Sequence, residues 1–380
     1  MSSRVWVGRA HRVIQRFRSR STRRERLFLH VGRNQPIQAR IVPDIAPTEE
    51  DVANCERLLA AYQKATAARP AVAGDDIWTH IRSLQADYFE ILDATDARRL
   101  AAYLCNMGRQ TATHGTIQGA AEYRRLRRSS TYRRFIAQLI KERLVCLAEA
   151  TGAIPIENPE QGEWGRNFSI PADALAERIT EILGVDITPP PIDGGLFKIV
   201  AGDRLLGERD CSSIYTAWLL SRDARGQSIA EIGGGGARLA YWSRRFGAKS
   251  YSIYDLPHIN ILQGFYLLKA GLQVSLYGEE ESAIRIRPDF DFPSARHDVV
   301  LNQDSFPEIH PDIVRDYLRN IRKCADRFIS INHESEPVSL GTFTQRSVPS
   351  LIKEVGGFVR QSRDLFWLRP GYCYEVYSTK

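Results

Sequence analysis

The run Glu231-Ile232-Gly233-Gly234-Gly235-Gly236 lies between a short apolar stretch, 228–232, and a segment of helical pattern, 238–246. Glycines in such a place let a backbone approach a ligand closely, and the helix behind them offers free amides to a carboxylate or phosphate. The acid ahead of the glycines would repel a pyrophosphate and suits a ligand with a positive charge, such as an ammonium or sulfonium. A dinucleotide fingerprint would also want a small residue where Arg238 stands, because helix and strand pack closely there. The next apolar stretch ends in Tyr254-Asp255-Leu256-Pro257, with Asp255 twenty-two residues after Gly233. A carboxylate at that offset accepts hydrogen bonds from a ribose diol. The plainer alternative makes Asp255 the neighbour of a helix cap, with Pro257 in the first helical position.

These residues need a sheet to hold them. Short apolar runs at 228–232, 250–254, 273–277, 298–302 and 327–332 alternate with helical patterns at 238–246, 258–270, 313–321 and 350–355, the rhythm of a parallel sheet covered on both faces. Two closing runs, 364–368 and 372–377, flank Arg369-Pro370-Gly371 and must pair antiparallel. Ahead of this region, 46–187 has helical period throughout. One stripe is Ile77, Ile81, Leu84, Tyr88 and Leu92, opened by Asp75 and Asp76. A second is Leu100, Tyr103, Leu104 and Met107, and a third runs from Tyr132 through Ile140 and Leu144 to Leu147 before Gly152. The proline run at 189–191 marks 188–204 as a linker.

The 380 residues are 43% hydrophobic and 26% charged, which is globular composition and too long for one ordinary core. Six scattered cysteines form neither a zinc motif nor a disulfide framework. The net charge of +7 is concentrated in residues 1–45, where eleven Arg face only Glu25 and Asp44, so the rest is slightly acidic. A nucleic-acid partner is therefore not expected, and the basic arm reads as a solvated tail or a segment lying on an anionic membrane surface. No apolar window is long enough to span a bilayer and the start lacks a secretory pattern, so the expected location is cytoplasmic, peripheral to a membrane where the arm makes contact. Oligomeric state has no signature.

The combination of Glu-x-Gly-x-Gly after the first strand, an acid after the second and a closing antiparallel pair resembles the class I S-adenosylmethionine-dependent methyltransferases. The stretches EIGGGGARLAYW, YSIYDLPHINILQGFYL, VVLNQDSFPEI and FISINHE are similar to a family of sugar O-methyltransferases found among polysaccharide-biosynthesis functions. The resemblance covers most of 205–380. It implies an α/β Rossmann-like sheet, mostly parallel with the last strand antiparallel, behind an N-terminal α-helical domain that walls the acceptor cleft. It further implies that Glu231, Gly233 and Gly235 hold the methionine moiety of S-adenosylmethionine and Asp255 its ribose. The adenine falls near Leu256 and the end of the third strand at 277–279. The acceptor is a sugar or glycan hydroxyl.

Methyl transfer to a hydroxyl requires in-line alignment and a base on the rim facing the methyl group. The fourth strand delivers Asn302, Gln303, Asp304 and Ser305 to that edge, and the fifth delivers Asn332, His333 and Glu334. His333 is the first candidate base, since imidazole titrates near neutrality, and Asp304 the second. Asn302 is a candidate cofactor contact, and Asn332, Glu334, Arg209 and Tyr215 are candidate substrate contacts. Each of these polar residues has a plainer role in capping or bonding local backbone. Asp304, Glu308, His310, His333 and Glu334 are the set that would gather a Mg2+ ion, without any metal-ligand spacing. Tyr123, Arg124 and Arg127 would meet an anionic sugar, unless they are a solvated basic face.

Overall fold

The computed structural model describes residues 37–70, 83–158, 160, 165–224, 227–334, 339–340 and 343–379. The basic arm up to residue 36, and the helix start at Asp75 and Asp76 with Ile77 and Ile81, lie outside them. After a short strand, β1 (Ala39–Ile41), the chain builds α1 (Glu49–Ala68), α2 (Ala86–Asp93), α3 (Ala97–Leu104), α4 (Gly119–Arg128), α5 (Ser130–Thr151) and α6 (Ala172–Leu183). Side-chain oxygens satisfy the first amides: Thr48 and Asp51 form a reciprocal capping box on α1, and Asp96 and Ser129 cap α3 and α5. A left-handed Gly152 ends α5. The expected seams are buried at Tyr88, Leu92, Leu100, Tyr103, Met107, Ile140, Leu144 and Leu147. Leu84 is 48% exposed, because it lies in a turn ahead of α2 and off its inner face.

Residues 188–204 are a linker only in their proline run. Beyond it, β2 (Phe197–Ala201) pairs antiparallel with β1 and with β3 (Arg204–Leu206), and Ile199 and Leu206 are fully buried. The arm therefore ends before Ala39, earlier than residue 45, because β1 completes this small sheet.

There follow α7 (Glu208–Ala224), β4 (Ser228–Ile232), α8 (Arg238–Arg245), β5 (Ser250–Asp255), α9 (Pro257–Lys269), β6 (Val274–Ser275), β7 (Ile284–Pro288), β8 (His297–Gln303), α10 (Pro311–Cys324) and β9 (Ala325–His333). The chain closes with β10 (Ser339–Leu340), β11 (Phe343–Thr344), α11 (Val348–Val355), β12 (Val359–Leu365) and β13 (Tyr372–Ser378). Eight strands make one sheet in the order β12-β13-β9-β8-β4-β5-β7-β6. From β9 to β6 neighbours are parallel, while β13 runs antiparallel to both β9 and β12. This is the expected α/β Rossmann-like sheet, mostly parallel with its last strand antiparallel. The chain leaves β4 toward β5 on one side and returns to β8 on the other, so the strand order reverses between β4 and β8, where open α/β sheets form their ligand crevice.

One strand differs from expectation. The third place beside β5 belongs to β7, not to 273–277, of which only Val274 and Ser275 are strand, at the sheet edge. The arginines of Ile284-Arg285-Ile286-Arg287 read as loop, yet both are satisfied inside: Arg285 donates to Ser252 Oγ (3.0 Å) and Arg287 to the Leu276 carbonyl (2.6 Å). A continuous apolar core extends from Val52 of α1 through β2 and α8 to Tyr374 of β13, so the helical layer shares its interior with the sheet. Lys269 of α9 pairs with Asp51 of α1 (2.6 Å), and the Tyr88 hydroxyl donates to the His258 carbonyl (2.8 Å).

Candidate functional site

A cleft of about 480 Å3 opens at the carboxyl ends of β4, β5 and β8, a volume typical of small-ligand pockets. Its floor is the glycine loop, pinned where Gly233 N–H donates to the Tyr254 carbonyl (2.9 Å). Gly233 has φ +75°, and a β-carbon there would stand 2.3 Å from Ser305 Oγ. Gly235, at φ +51°, faces open space. Gly234 is confined by contact, with Ile253 Cγ2 2.6 Å from the place of its missing β-carbon. The first three of the four glycines are thus accounted for position by position.

Glu231 borders the cleft at 3% exposure and accepts one hydrogen bond, from the Tyr251 hydroxyl (2.8 Å). Burial, with the neighbouring Asp255 charge, pushes its carboxyl up to about 7. Asp255 accepts from its neighbour Leu256 N–H (2.8 Å), from Gln263 Nε2 (2.7 Å) and from Gly235 N–H (3.2 Å). Burial outweighs these bonds and raises it to about 7 as well. Two carboxyls held near neutrality around one glycine loop gain most from a cation or from hydroxyl donors, either of which restores their charged form. Leu256 also lines the cleft. The far end is closed by Asp289, which follows β7 and pairs with Arg69 (3.1 Å). It takes the place expected for 277–279, where Glu279 instead binds Arg57 (2.6 Å), because the missed strand β7 moves the sheet's third edge.

On the opposite rim Asp304, left-handed at φ +69°, lines the cleft but is fully engaged. Its carboxylate accepts from Arg369 and from the Tyr372 hydroxyl, with Arg209 3.7 Å away. Burial opposes the charge, yet these cations and the phenol hold the carboxyl below its usual range. Glu308, in the short turn after β8, also lines the cleft, and burial plus the Asp304 charge raises it to about 7. Arg209 stands on this rim with Ser212 and Ser213 of α7.

Several expected residues lie elsewhere. His333 stacks edge-on against Tyr372 (5.6 Å) and does not line the cleft, because the β9–β13 register sets the two side by side. Glu334 pairs with Arg363 of β12 (2.5 Å). Asn302 and Asn332 are interior struts. Asn302 Nδ2 donates to the Ile232 carbonyl (3.0 Å) and to Ser305 Oγ (2.5 Å), and its Oδ1 accepts from Asn332 Nδ2 (3.0 Å). Asn332 Oδ1 in turn accepts from Asp304 N–H (3.1 Å). They hold the β4 and β8 loops in place without facing the cleft. Tyr215 is buried against Trp218 and Phe366. The helical layer contributes Arg69, Pro70 and the loop 115–117, whereas Tyr123, Arg124 and Arg127 are not on the wall.

The Mg2+ alternative gains no support. Among the described residues no group of three or more His, Cys, Asp or Glu is placed to hold a metal, and the carboxylate nearest that role, Asp304, is committed to cations of the chain. No helix among the described residues is long and apolar enough to cross a membrane.

No family model and no curated protein matches the chain. Solved structures resemble it distantly. The ribosomal protein L11 methylase from Lactobacillus delbrueckii subsp. bulgaricus is 14% identical over 45% of this chain and 79% of its own, with a TM-score of 0.32. The magnesium protoporphyrin IX methyltransferase ChlM from Synechocystis PCC 6803, with S-adenosylmethionine bound, is 12% identical over 46% and 82%, at 0.35. The CcbJ methyltransferase from Streptomyces caelestis is 14% identical over 44% and 89%, at 0.34. Likenesses this slight assign no activity.

Two features of the site take roles other than those expected. Glu308, expected only among Mg2+ ligands, stands on the cleft rim as a single raised carboxyl. Arg238 stood out as too large for its place, and it fits because its side chain turns into a buried ion cluster. Its Nη2 donates to Asp193 (2.6 Å) and its Nε to Asp210 (3.3 Å), while Lys198 bonds the same two acids (2.7 and 3.2 Å).

Proposed function

We propose that this chain is an S-adenosylmethionine-dependent O-methyltransferase whose acceptor is a sugar or glycan hydroxyl. One observation carries the reading: Glu231 and Asp255, both raised to about 7, flank a glycine loop in a cleft of about 480 Å3 at the point where the strand order reverses. The residues fit the cofactor. Glu231 faces the cationic amino-acid end, Asp255 has acceptor capacity for ribose hydroxyls, and Leu256 with Ile259 offers an apolar wall toward Asp289. When bound, the cofactor supplies an electrophilic methyl group.

The chain's own part is to align the acceptor and take its proton. Glu308, raised to about 7, is the base in this reading, in place of His333. Arg209 and the Asp304–Arg369 pair bracket it and orient the acceptor. A carboxyl titrating near the working pH suits proton removal from a hydroxyl. The sugar acceptor rests on the likeness of the four motif stretches. With it go a cytoplasmic location, no nucleic-acid partner and membrane contact through the basic arm.

Calorimetric titration with S-adenosylmethionine, S-adenosylhomocysteine and NAD tests the reading. The first two should bind with dissociation constants on the order of micromolar, and Asp255→Ala should abolish both. Saturable NAD binding, with neither methyl-cycle ligand bound, overturns it. A panel of nucleotide sugars and oligosaccharides with radiolabelled methyl donor then identifies the acceptor.

A further inference from the structure

We propose that Arg238 is the anion seat of the cleft and that its unpartnered Nη1 receives the carboxylate of the cofactor's amino-acid end. The inference rests on the adenosyl-ligand reading above and adds a binding residue to it. Arg238 is 4% exposed and borders the cleft. Asp193 and Asp210 occupy its Nη2 and Nε, and Lys198 shares both acids, so charge within the cluster is balanced. Nη1 alone is left without a hydrogen-bond partner, although Tyr266 lies under the guanidinium (4.9 Å). A buried donor on a charged group is expensive to leave open, which points to a ligand that completes it.

The direction of the opening is visible at the loop. A β-carbon on Gly236 would lie 2.8 Å from Arg238 Nη1, and one on Gly234 would lie 3.0 Å from Glu231 Oε2. An acid and a base thus flank alternate glycines of one loop, a spacing matched to the ammonium and carboxylate of a zwitterion. Arg238 is also the first residue of α8, whose N-terminus has no side-chain cap, with Ala237 left-handed at φ +56°. The uncapped amides and the helix dipole favour an anion at the same spot. Ile117 Cδ1, 3.0 Å from the Gly236 β-carbon position, is the side chain that turns aside to admit it.

The test compares S-adenosylhomocysteine with S-adenosyl-3-thiopropylamine, which differs from it by lacking the carboxylate. Wild-type protein should bind the carboxylate-bearing ligand about 10- to 100-fold more tightly, the range of one charge-assisted hydrogen bond. Gly236→Ala places a methyl group against Nη1 without removing a charge from the ion cluster, and the groups it crowds are the side-chain ends of Arg238 and Ile117. It should erase that preference by weakening S-adenosylhomocysteine alone. Arg238→Lys, which keeps a cation beside Asp193 but shortens the reach, should do the same, and unchanged melting curves verify folding. Equal binding of both ligands by wild type, or equal weakening of both in the variants, overturns the proposal and leaves the adenosyl reading standing. If neither ligand binds wild type, both fall together.

Discussion

Replacing Glu231 by Gln should stabilise this protein while removing its ligand. In the unfolded chain the carboxyl loses its proton near 4.5, whereas in the fold it keeps it up to about 7. Between those values folding retains a proton that the unfolded state releases, so stability falls as pH rises from about 4.5 and the loss is complete above 7. The full difference corresponds to about 3 kcal/mol at pH 8 and less than about 1 kcal/mol at pH 5. Gln keeps an oxygen for the Tyr251 hydroxyl, so the variant avoids this penalty without orphaning its neighbour. For 380 residues, an unfolding entropy of about 2.1 cal/mol/K per residue turns this into a rise in Tm on the order of 4 °C at pH 8 and about 1 °C at pH 5. Scanning calorimetry of both proteins at the two pH values measures it. In wild type, affinity for S-adenosylhomocysteine should climb over the same pH interval, because the ligand's ammonium favours the ionised acid, and the variant should lose affinity and the Glu231 part of the slope, keeping only that of Asp255. A melting difference that is negative, or identical at pH 5 and pH 8, would refute the claim that burial perturbs this carboxyl.

The rim should separate binding from turnover. Glu308→Gln is expected to lower methyl transfer by about 10²- to 10⁴-fold, as for loss of a general base, with S-adenosylhomocysteine affinity unchanged by calorimetry. His333→Ala should keep turnover within about twofold of wild type, and the reverse ranking of these two variants would restore the histidine as base. In the ion cluster, Asp193→Ala leaves Arg238 and Lys198 competing for Asp210, and urea denaturation should show a loss of about 3 to 5 kcal/mol. A loss below about 1 kcal/mol would mean that the cluster is solvated in solution.

What the sequence disclosed was what is decided locally. Glycines, an acid two residues ahead of them and a proline opening the next helix fix turn chemistry within a few residues, so the loop at 233–236 and Asp255 were readable before any fold was known. His333 lies off the cleft for a reason no local pattern carries: its surroundings depend on β13, about forty residues later in the chain, which places Tyr372 beside it in register. Strand β7 was passed over because Arg285 and Arg287 break the apolar pattern, and only the fold reveals the Ser252 hydroxyl and Leu276 carbonyl that satisfy them. Asn302 and Asn332 lie at strand ends where functional residues gather, yet each spends its amide on backbone and on the other. Polarity at a strand end marks the edge without distinguishing a strut from a reagent.

The segment expected to be a passive linker has the largest consequence for the cleft. Asp193, which follows the proline run and is itself held by Lys198, pairs with the first residue of α8, so the helix behind the glycine loop is anchored from outside the sheet. The same segment holds the opposite wall. Gly108 N–H donates to the Gly194 carbonyl (3.0 Å), and Gln118 bridges the Gly108 and Gly195 carbonyls (2.7 and 3.1 Å) while accepting from Phe197 N–H (3.0 Å). A β-carbon on Gly108 would lie 2.3 Å from Leu196 N, so the two backbones touch with no room for a side chain. The wall loop 115–117 lies between the residues of this contact, Gly108 and Gln118, and Ile117 faces the place beside Arg238. Anion seat and covering side chain are thus fixed to one short stretch, 193–198. A shift of that stretch would move both together, which keeps the distance between them set by one ion pair and the backbone hydrogen bonds of a single stretch rather than by the packing of two independent bodies.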